Sequence, residues 1–314
     1  MAAHIAPNRM TRMAAPDFVR DLDLTDEELG NLLELAADMK RSPGDYAQAL
    51  AGKSIGLLFE KPSLRTRLTF ELAIRQLGGT SVFVEGLIGG REPLKDVARN
   101  LDRWVSLIVA RVFKQDTVEQ LARWAAAPVI NARSDRDHPC QALADLLTFR
   151  EQFGRGPGLT LSFVGDGNNV AHSLMLTATR LGVSVRVGTP PGYEPDPEIV
   201  AQAEGLAAVN GCSLVVTNDP VKAVAGAHAV YTDVWTSMGQ ENEAARRRNA
   251  FLEYQVGEEL FAQARPDAVF MHCLPARRDE EVTEAVIESP RAVVFDQAEN
   301  RLHTQKALLL MMLG

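Results

Sequence analysis

Ser54-Ile55-Gly56-Leu57-Leu58-Phe59, followed at once by Glu60-Lys61-Pro62-Ser63-Leu64-Arg65-Thr66-Arg67, sets the pattern by which the rest of the chain is read. The first six residues form a short apolar run of the kind a buried strand makes. Pro62 and Ser63 then supply a helix start: a proline near the first helical position, and a hydroxyl able to accept an orphan N–H of the first turn. Helical spacing runs from about Ser63 to Leu77, and Gly78-Gly79 ends it. A second strand follows from Thr80 to Val84. Strand, helix and strand in direct succession indicate a parallel sheet covered by helices.

Outward from that unit the alternation continues. Upstream, Asp23 or Thr25 can cap a helix whose Leu29, Leu32, Leu33 and Leu35 fall at helical spacing. Downstream come a Gly-rich loop (Gly86 to Gly90), another helix, and buried strands at Leu107 to Ala110 and Val129-Ile130. Gly154-Arg155-Gly156-Pro157-Gly158 breaks the pattern and places a domain boundary. A second series follows: strand Leu159 to Val164, helix from about Asn169 to Leu181, and strand Val183 to Val187. Later strands are expected at Ala229 to Thr232, Ala268 to Met271 and Ala292 to Phe295. An amphipathic helix from about Glu299 to Leu313 closes the chain. The fold class predicted is α/β, with two domains, each a parallel sheet flanked by helices. Residues 1–150 form the first and 151–296 the second, and the C-terminal helix (about 297–314) returns to the first.

Length and composition agree with two domains: 314 residues, 46% of them hydrophobic, fill two ordinary cores. A net charge of −8 argues against nucleic acid as a partner. The one dense basic run, Arg246-Arg247-Arg248, follows Glu241 and Glu243 and reads as a solvated helix face. Cys140, Cys212 and Cys273 are widely spaced, which excludes a disulfide framework and suits a reducing compartment. No apolar stretch reaches the roughly 18 residues of a membrane span. Met1 to Pro16 holds Arg9 and Arg12 and no acid, yet is short for a targeting peptide. A cytoplasmic location is expected.

In open α/β sheets ligands bind beyond the carboxyl ends of the strands, so the polar residues there carry the functional reading. At Ser63 to Arg67, two hydroxyls (Ser63, Thr66), helix-start N–H groups and Arg65 can converge on a phosphate dianion. Arg67 stands about 200° around the helix from Arg65 and can pair with Glu71 instead. A plain capped helix with surface arginines is the alternative. His138-Pro139-Cys140-Gln141 opens a helix read as Ala142 to Phe149, with Gln141 placed to reach back and cap. Either a functional histidine or an ordinary capping box fits. Gly165-Asp166-Gly167-Asn168-Asn169-Val170 imitates a dinucleotide fingerprint but lacks its third glycine and the later acid, which disfavours a dehydrogenase. Asn169 remains a polar ligand at a helix start. Asp233 to Glu241 places an acid at a strand end, then Ser237-Met238-Gly239, read as a ligand-covering loop or a surface turn. His272-Cys273-Leu274-Pro275 ends another strand, its thiol either buried and inert or part of a site. No HExxH, histidine cluster or acidic cage occurs, so chemistry without a metal is expected.

Together, in this order, the five segments and Phe295-Asp296-Gln297-Ala298-Glu299-Asn300-Arg301 resemble the aspartate/ornithine carbamoyltransferase superfamily, from about Asp17 to the end of the chain. The Asp233 and His272 segments resemble its ornithine branch. That resemblance implies the site. Ser63, Leu64 through its backbone, Arg65 and Thr66 would hold the phosphate of carbamoyl phosphate. Arg111 would bridge phosphate and carbonyl oxygen, His138 would bind that oxygen, and Gln141 the carbamoyl NH2. Cys273, Leu274 and Arg301 would complete the pocket. Asn169, Asp233, Ser237 and Met238 would hold L-ornithine, with Cys273 near Asp233 handling the δ-amino proton. Arg111, His138 and Cys273 would be the catalytic residues. The family also implies a cis peptide before Pro275, a homotrimer and no cofactor. Leu64 stands where threonine is frequent, and the loop Val84 to Arg91 has Leu87 near a frequent glutamine. Sister acceptors such as N-acetylornithine, N-succinylornithine, putrescine or aspartate are the nearest rivals, weakened by Asp233 and Ser237.

Overall fold

In the computed structural model, which describes residues 12–236 and 241–314, the first helix is α1 (Asp26–Arg41). Thr25 caps it: its Oγ1 accepts the Glu28 N–H at 3.1 Å, and the Glu28 carboxylate accepts the Thr25 N–H at 2.7 Å. Asp23 is occupied elsewhere, accepting the amides of Val19 and Arg20. Then come β1 (Ser54–Phe59), α2 (Leu64–Gln76), β2 (Thr80–Glu85), α3 (Leu94–Leu101), β3 (Leu107–Arg111), α4 (Gln115–Trp124), β4 (Val129–Arg133) and α5 (Pro139–Phe153). The four strands make one parallel sheet in the order β2-β1-β3-β4. The inner strands are apolar because helices flank them, and Leu58, Ile108, Ala110, Val118, Leu121 and Val129 share one buried cluster.

The second series is β5 (Thr160–Val164), α6 (Asn169–Arg180), β6 (Ser184–Gly188), α7 (Pro197–Val209), β7 (Leu214–Thr217), α8 (Pro220–Val224), β8 (Ala229–Thr232), α9 (Ala244–Phe251), α10 (Glu258–Phe261), β9 (Val269–His272) and α11 (Glu284–Ile287). Its five strands are also all parallel, in the order β7-β6-β5-β8-β9. Its core gathers Trp235, Phe251, Tyr254, Phe261 and Phe270. The chain ends in α12 (Val294–Leu313). Two compact units result: residues 1–147 with 299–314, and 148–298. The fold class is thus the α/β arrangement expected, with most of α12 in the first unit.

Three local expectations are corrected. Ala292 to Phe295 is not a strand: Ala292 makes an isolated bridge to Phe270, and Val294 already begins α12. A short apolar run carries no period, and here the helix takes its second half. The helix after His138 starts at Pro139 and runs to Phe153, longer than Ala142 to Phe149. Residues Leu214 to Thr217 form an edge strand, β7, that the sequence reading passed over.

Candidate functional site

Parallel pairing puts all carboxyl ends of a sheet on one side, so the segments after β1, β3 and β4 are neighbours. After β1, Ser63 adopts an extended conformation and its Oγ accepts the Thr66 N–H at 3.3 Å, which starts α2. Arg67 turns away from that start: its Nε donates to Glu71 at 2.9 Å and its guanidinium covers the Phe83 ring at 3.7 Å. Arg65 and Leu64 are left on the first turn. Leu64 keeps an exposed side chain. Thr66 is fully buried, and its Oγ1 accepts from Nη2 of Arg301 at 2.8 Å, leaving its own proton to donate.

Arg301 comes from α12 and donates through Nη1 to Oε1 of Gln141 at 3.1 Å. Gln141 does not reach back to cap its helix. Its Nε2 donates to Oδ1 of the buried Asp145 at 2.7 Å, one turn along α5. Both bonds fix the amide orientation, so Oε1 is the group Gln141 can offer an N–H donor. Arg111 is the last residue of β3, and a register shift between Ala110 and Arg111 sets it opposite Arg133 of β4. Such irregularities re-aim a strand-end side chain. Arg111, Arg133 and Arg301 all act on His138, whose imidazole is held well below its usual pKa, first by burial and then by these three cations. A neutral imidazole among guanidinium groups can donate one hydrogen bond without adding another charge. Arg133 was not singled out in the sequence, although it merely extends the Val129-Ile130 strand. Cys140 is buried and donates to the Asn131 carbonyl at 3.4 Å; burial pushes its thiol up to about 12, which makes it inert.

In the second unit the segments after β5, β8 and β9 lie side by side. Asn168 caps α6, and Asn169 is its first residue, nearly buried. Asp233, just past β8, accepts from Asn168 Nδ2 at 2.9 Å through one oxygen. Through the other it accepts the Val234 N–H at 2.8 Å and the Cys273 thiol at 3.0 Å. Cys273 is partly exposed. Leu274 has φ 56, and a cis peptide joins it to Pro275. His272 braces this turn: its Nδ1 accepts the Leu274 N–H at 2.8 Å and its backbone N–H donates to Gln297 at 2.9 Å. Asp233, His272 and Cys273 bring three potential ligand atoms within 4.8 Å of one another. Each of those side chains is already engaged in the hydrogen bonds just described. Ser237 and Met238 lie outside the described residues.

Farther along, Arg247 of α9 donates to the Trp235 carbonyl at 3.0 Å and pairs with Asp166 at 3.1 Å, both side chains being nearly buried. Burial raises Asp166 to about 6 despite this cation. Arg247 was read as part of a solvated run; one of its three arginines is in fact a buried anchor.

Comparison with known proteins matches these two sets to two named domains. The carbamoyl-P binding domain of aspartate/ornithine carbamoyltransferases matches residues 16–151, and the Asp/Orn binding domain matches 157–312. An ornithine carbamoyltransferase of Thermococcus kodakarensis is 51% identical over 307 residues, covering 96% of this chain and 98% of that one. One from Thermus thermophilus is 54% identical over 290 residues, covering 91% and 93%. The solved ornithine carbamoyltransferase of Pyrococcus furiosus superposes with a TM-score of 0.94 at 48% identity, covering 97% and 99%. With domain matches spanning nearly the whole chain and relatives at half identity over it, the chain belongs to the aspartate/ornithine carbamoyltransferase family, among its ornithine carbamoyltransferases.

Proposed function

We propose that the chain transfers the carbamoyl group of carbamoyl phosphate to the δ-amino group of L-ornithine, giving L-citrulline and phosphate. The observation that carries this reading is the Asp233–Cys273 contact of 3.0 Å: a buried acid and a thiol at strand ends, suited to an ammonium-bearing acceptor. Residues 1–150 with the C-terminal helix (about 297–314) serve carbamoyl phosphate, and 151–296 serve ornithine.

Ser63, the Leu64 N–H, Arg65 and Thr66 hold the phosphate, aided by the positive end of α2. Arg111 spans phosphate and carbonyl oxygen. Neutral His138 donates to that oxygen, and Gln141 Oε1, already oriented, accepts from the carbamoyl NH2. Arg301 of the first unit, and Cys273 and Leu274 of the second, are assigned to the carbamoyl group. Asp233 receives the α-ammonium of ornithine, with Asn169, Ser237 and Met238 around the α-carboxylate. The δ-ammonium titrates near lysine's pKa of about 10.4, so it must shed a proton before attack. Cys273, hydrogen-bonded to Asp233, is placed to handle it. Attack on the carbonyl carbon builds an oxyanion met by Arg111, Thr66 and His138. Collapse breaks the C–O bond and releases phosphate into the guanidinium groups. No metal or cofactor takes part in this scheme.

The protein works in the cytoplasm as a homotrimer. The number three follows the family. Exposed apolar side chains support burial against another copy: Leu64, Leu68 and Leu72 along α2, with Val82 and Val84 on edge strand β2. Among the described residues, no helix is long and apolar enough to cross a membrane.

The test is citrulline formation from carbamoyl phosphate and L-ornithine with a chelator present, beside wells holding aspartate, N-acetylornithine or putrescine. Turnover with ornithine alone is expected. Turnover only with another acceptor would overturn the ornithine assignment, and a sedimentation mass other than three chains or a multiple would overturn the trimer.

A further inference from the structure

We propose that Asn168 is a positioning residue that fixes the Asp233 carboxylate for substrate and thiol, a role separable from its capping of α6. The proposal rests on the reading of Asp233 as the ornithine-binding acid. Its ground is how the Asn168 amide is divided. Oδ1 accepts the N–H groups of Val170 at 2.9 Å and Ala171 at 3.3 Å, the two bonds of a helix cap. With the oxygen committed to the helix, the NH2 must point the other way, where it donates to Oδ2 of Asp233 at 2.9 Å. Ser, Thr and Asp cap a helix about as well as Asn. Of these four only Asn carries an amide donor on the far side of its cap.

The backbone has no slack to blur this geometry. Asn168 N–H donates to the Asp166 carbonyl at 2.7 Å, and Gly167 N–H to the Tyr193 carbonyl at 2.9 Å. A Cβ on Gly167 would meet the Pro195 nitrogen at 2.2 Å, so the turn is pressed against the Pro195 backbone. At the other end, Asp233 is nearly buried and its second oxygen serves Val234 N–H and the Cys273 thiol. The Asn168 bond therefore sets the plane in which Asp233 meets both Cys273 and an incoming ammonium.

The decisive variant is Asn168→Asp. It keeps shape and cap, and an acid at a helix N-terminus is favourable, but it also sets a second carboxylate beside the buried Asp233, so Tm should fall at pH 8 and recover toward pH 6. It also puts an acceptor against an acceptor at Asp233. We expect at least a tenfold rise in KM for ornithine, a several-fold fall in kcat, and an unchanged KM for carbamoyl phosphate. The introduced carboxyl can donate only when protonated, so part of the loss should return as pH falls from 8 to 6. Asn168→Ser, which caps without a donor in reach, should lose ornithine affinity with no such return. Alkylation of Cys273 by iodoacetamide, read on its own peptide by mass spectrometry, should slow several-fold in Asn168→Asp because added negative charge disfavours the thiolate. That last readout holds whatever the acceptor is. Wild-type protein inactive with ornithine but showing the alkylation change would sink the substrate reading and keep the positioning role. Unchanged ornithine kinetics and unchanged alkylation in Asn168→Asp, or ornithine losses in Asn168→Ser that only track a falling melting temperature, would overturn the proposal.

Discussion

His272 Nε2 lies 3.2 Å from a Glu281 oxygen, and neither side chain reaches solvent. Since Nδ1 accepts the Leu274 N–H, the ring proton sits on Nε2 and is donated to Glu281. The same Glu281 oxygen accepts the Arg277 N–H at 2.6 Å. The pair thus ties both ends of the turn that carries Cys273, and every ring nitrogen is spent on that task. Glu281→Gln keeps an acceptor there and should leave kcat within roughly tenfold of wild type, far from the 10²–10⁴ of a lost acid–base group. His272→Phe should cost on the order of 1.5–3 kcal/mol, because a buried acid loses one of its donors. Denaturant melts and steady-state rates check both; a thousandfold kcat loss in Glu281→Gln would mark a relay instead.

Arg247 supplies a second prediction. It links α9 to Asp166 and to the carbonyl of Trp235, two residues past Asp233. Arg247→Gln should raise KM for ornithine at least about tenfold while changing KM for carbamoyl phosphate little. Leaving Asp166 buried without its cation should cost on the order of 3 kcal/mol, or about 6–12 °C in Tm. Arg247→Lys, which keeps the charge but not the fork, should fall between. Ornithine saturation curves unaltered in Arg247→Gln would remove the anchor from the account.

How much of this was legible beforehand follows from range. Local devices read directly: the Ser63 cap, the Arg67–Glu71 pair, and strand ends carrying Arg111, Asp233 and Cys273. Long-range pairings did not. Nothing in the spacing of Arg247 and Asp166 distinguishes a buried ion pair from a solvated face. Gln141 fitted a capping box locally, and only α12 bringing Arg301 alongside shows its oxygen is wanted elsewhere. Ala292 to Phe295 failed for a third reason: four apolar residues have no period, and the 20-residue helix beginning at Val294 took the last two.

His138 makes a prediction about acid. Its folded pKa lies well below the usual 6.5, through burial and the charges of Arg301, Arg111 and Arg133. The unfolded chain therefore binds the extra proton as pH falls below about 6.5, and the folded state loses stability there; above that pH the residue contributes no slope. His138→Gln should lose less Tm than wild type between pH 7 and 5. Its amide can still donate, though from a different place, so kcat should fall by less than the roughly 10²–10³ of a deleted oxyanion donor. Parallel Tm profiles in the two proteins would show that His138 is not held neutral.

Asp137, next to His138, gives the opposite slope. It is buried, one of its oxygens lacks a hydrogen-bond partner, and burial together with Asp21 pushes it up to about 8. Arg136 and Arg20 pull it down less than that, and Glu119 adds to the rise. An acid whose folded pKa exceeds its unfolded value takes up a proton on folding. Stability is therefore greatest at low pH and falls as pH rises from about 4 through 8. Asp137→Asn removes the titration. Near pH 4, where the folded wild-type carboxyl is protonated and the unfolded one still largely so, the two proteins should melt within a degree or two of each other. By pH 9 the variant should be the more stable by on the order of 5 kcal/mol, about 10–20 °C for a chain of this size. Scanning calorimetry at pH 4, 7 and 9 decides it. A gap independent of pH would mean that Asp137 is ionised in the folded protein throughout, with Arg136 and Arg20 outweighing burial and Asp21.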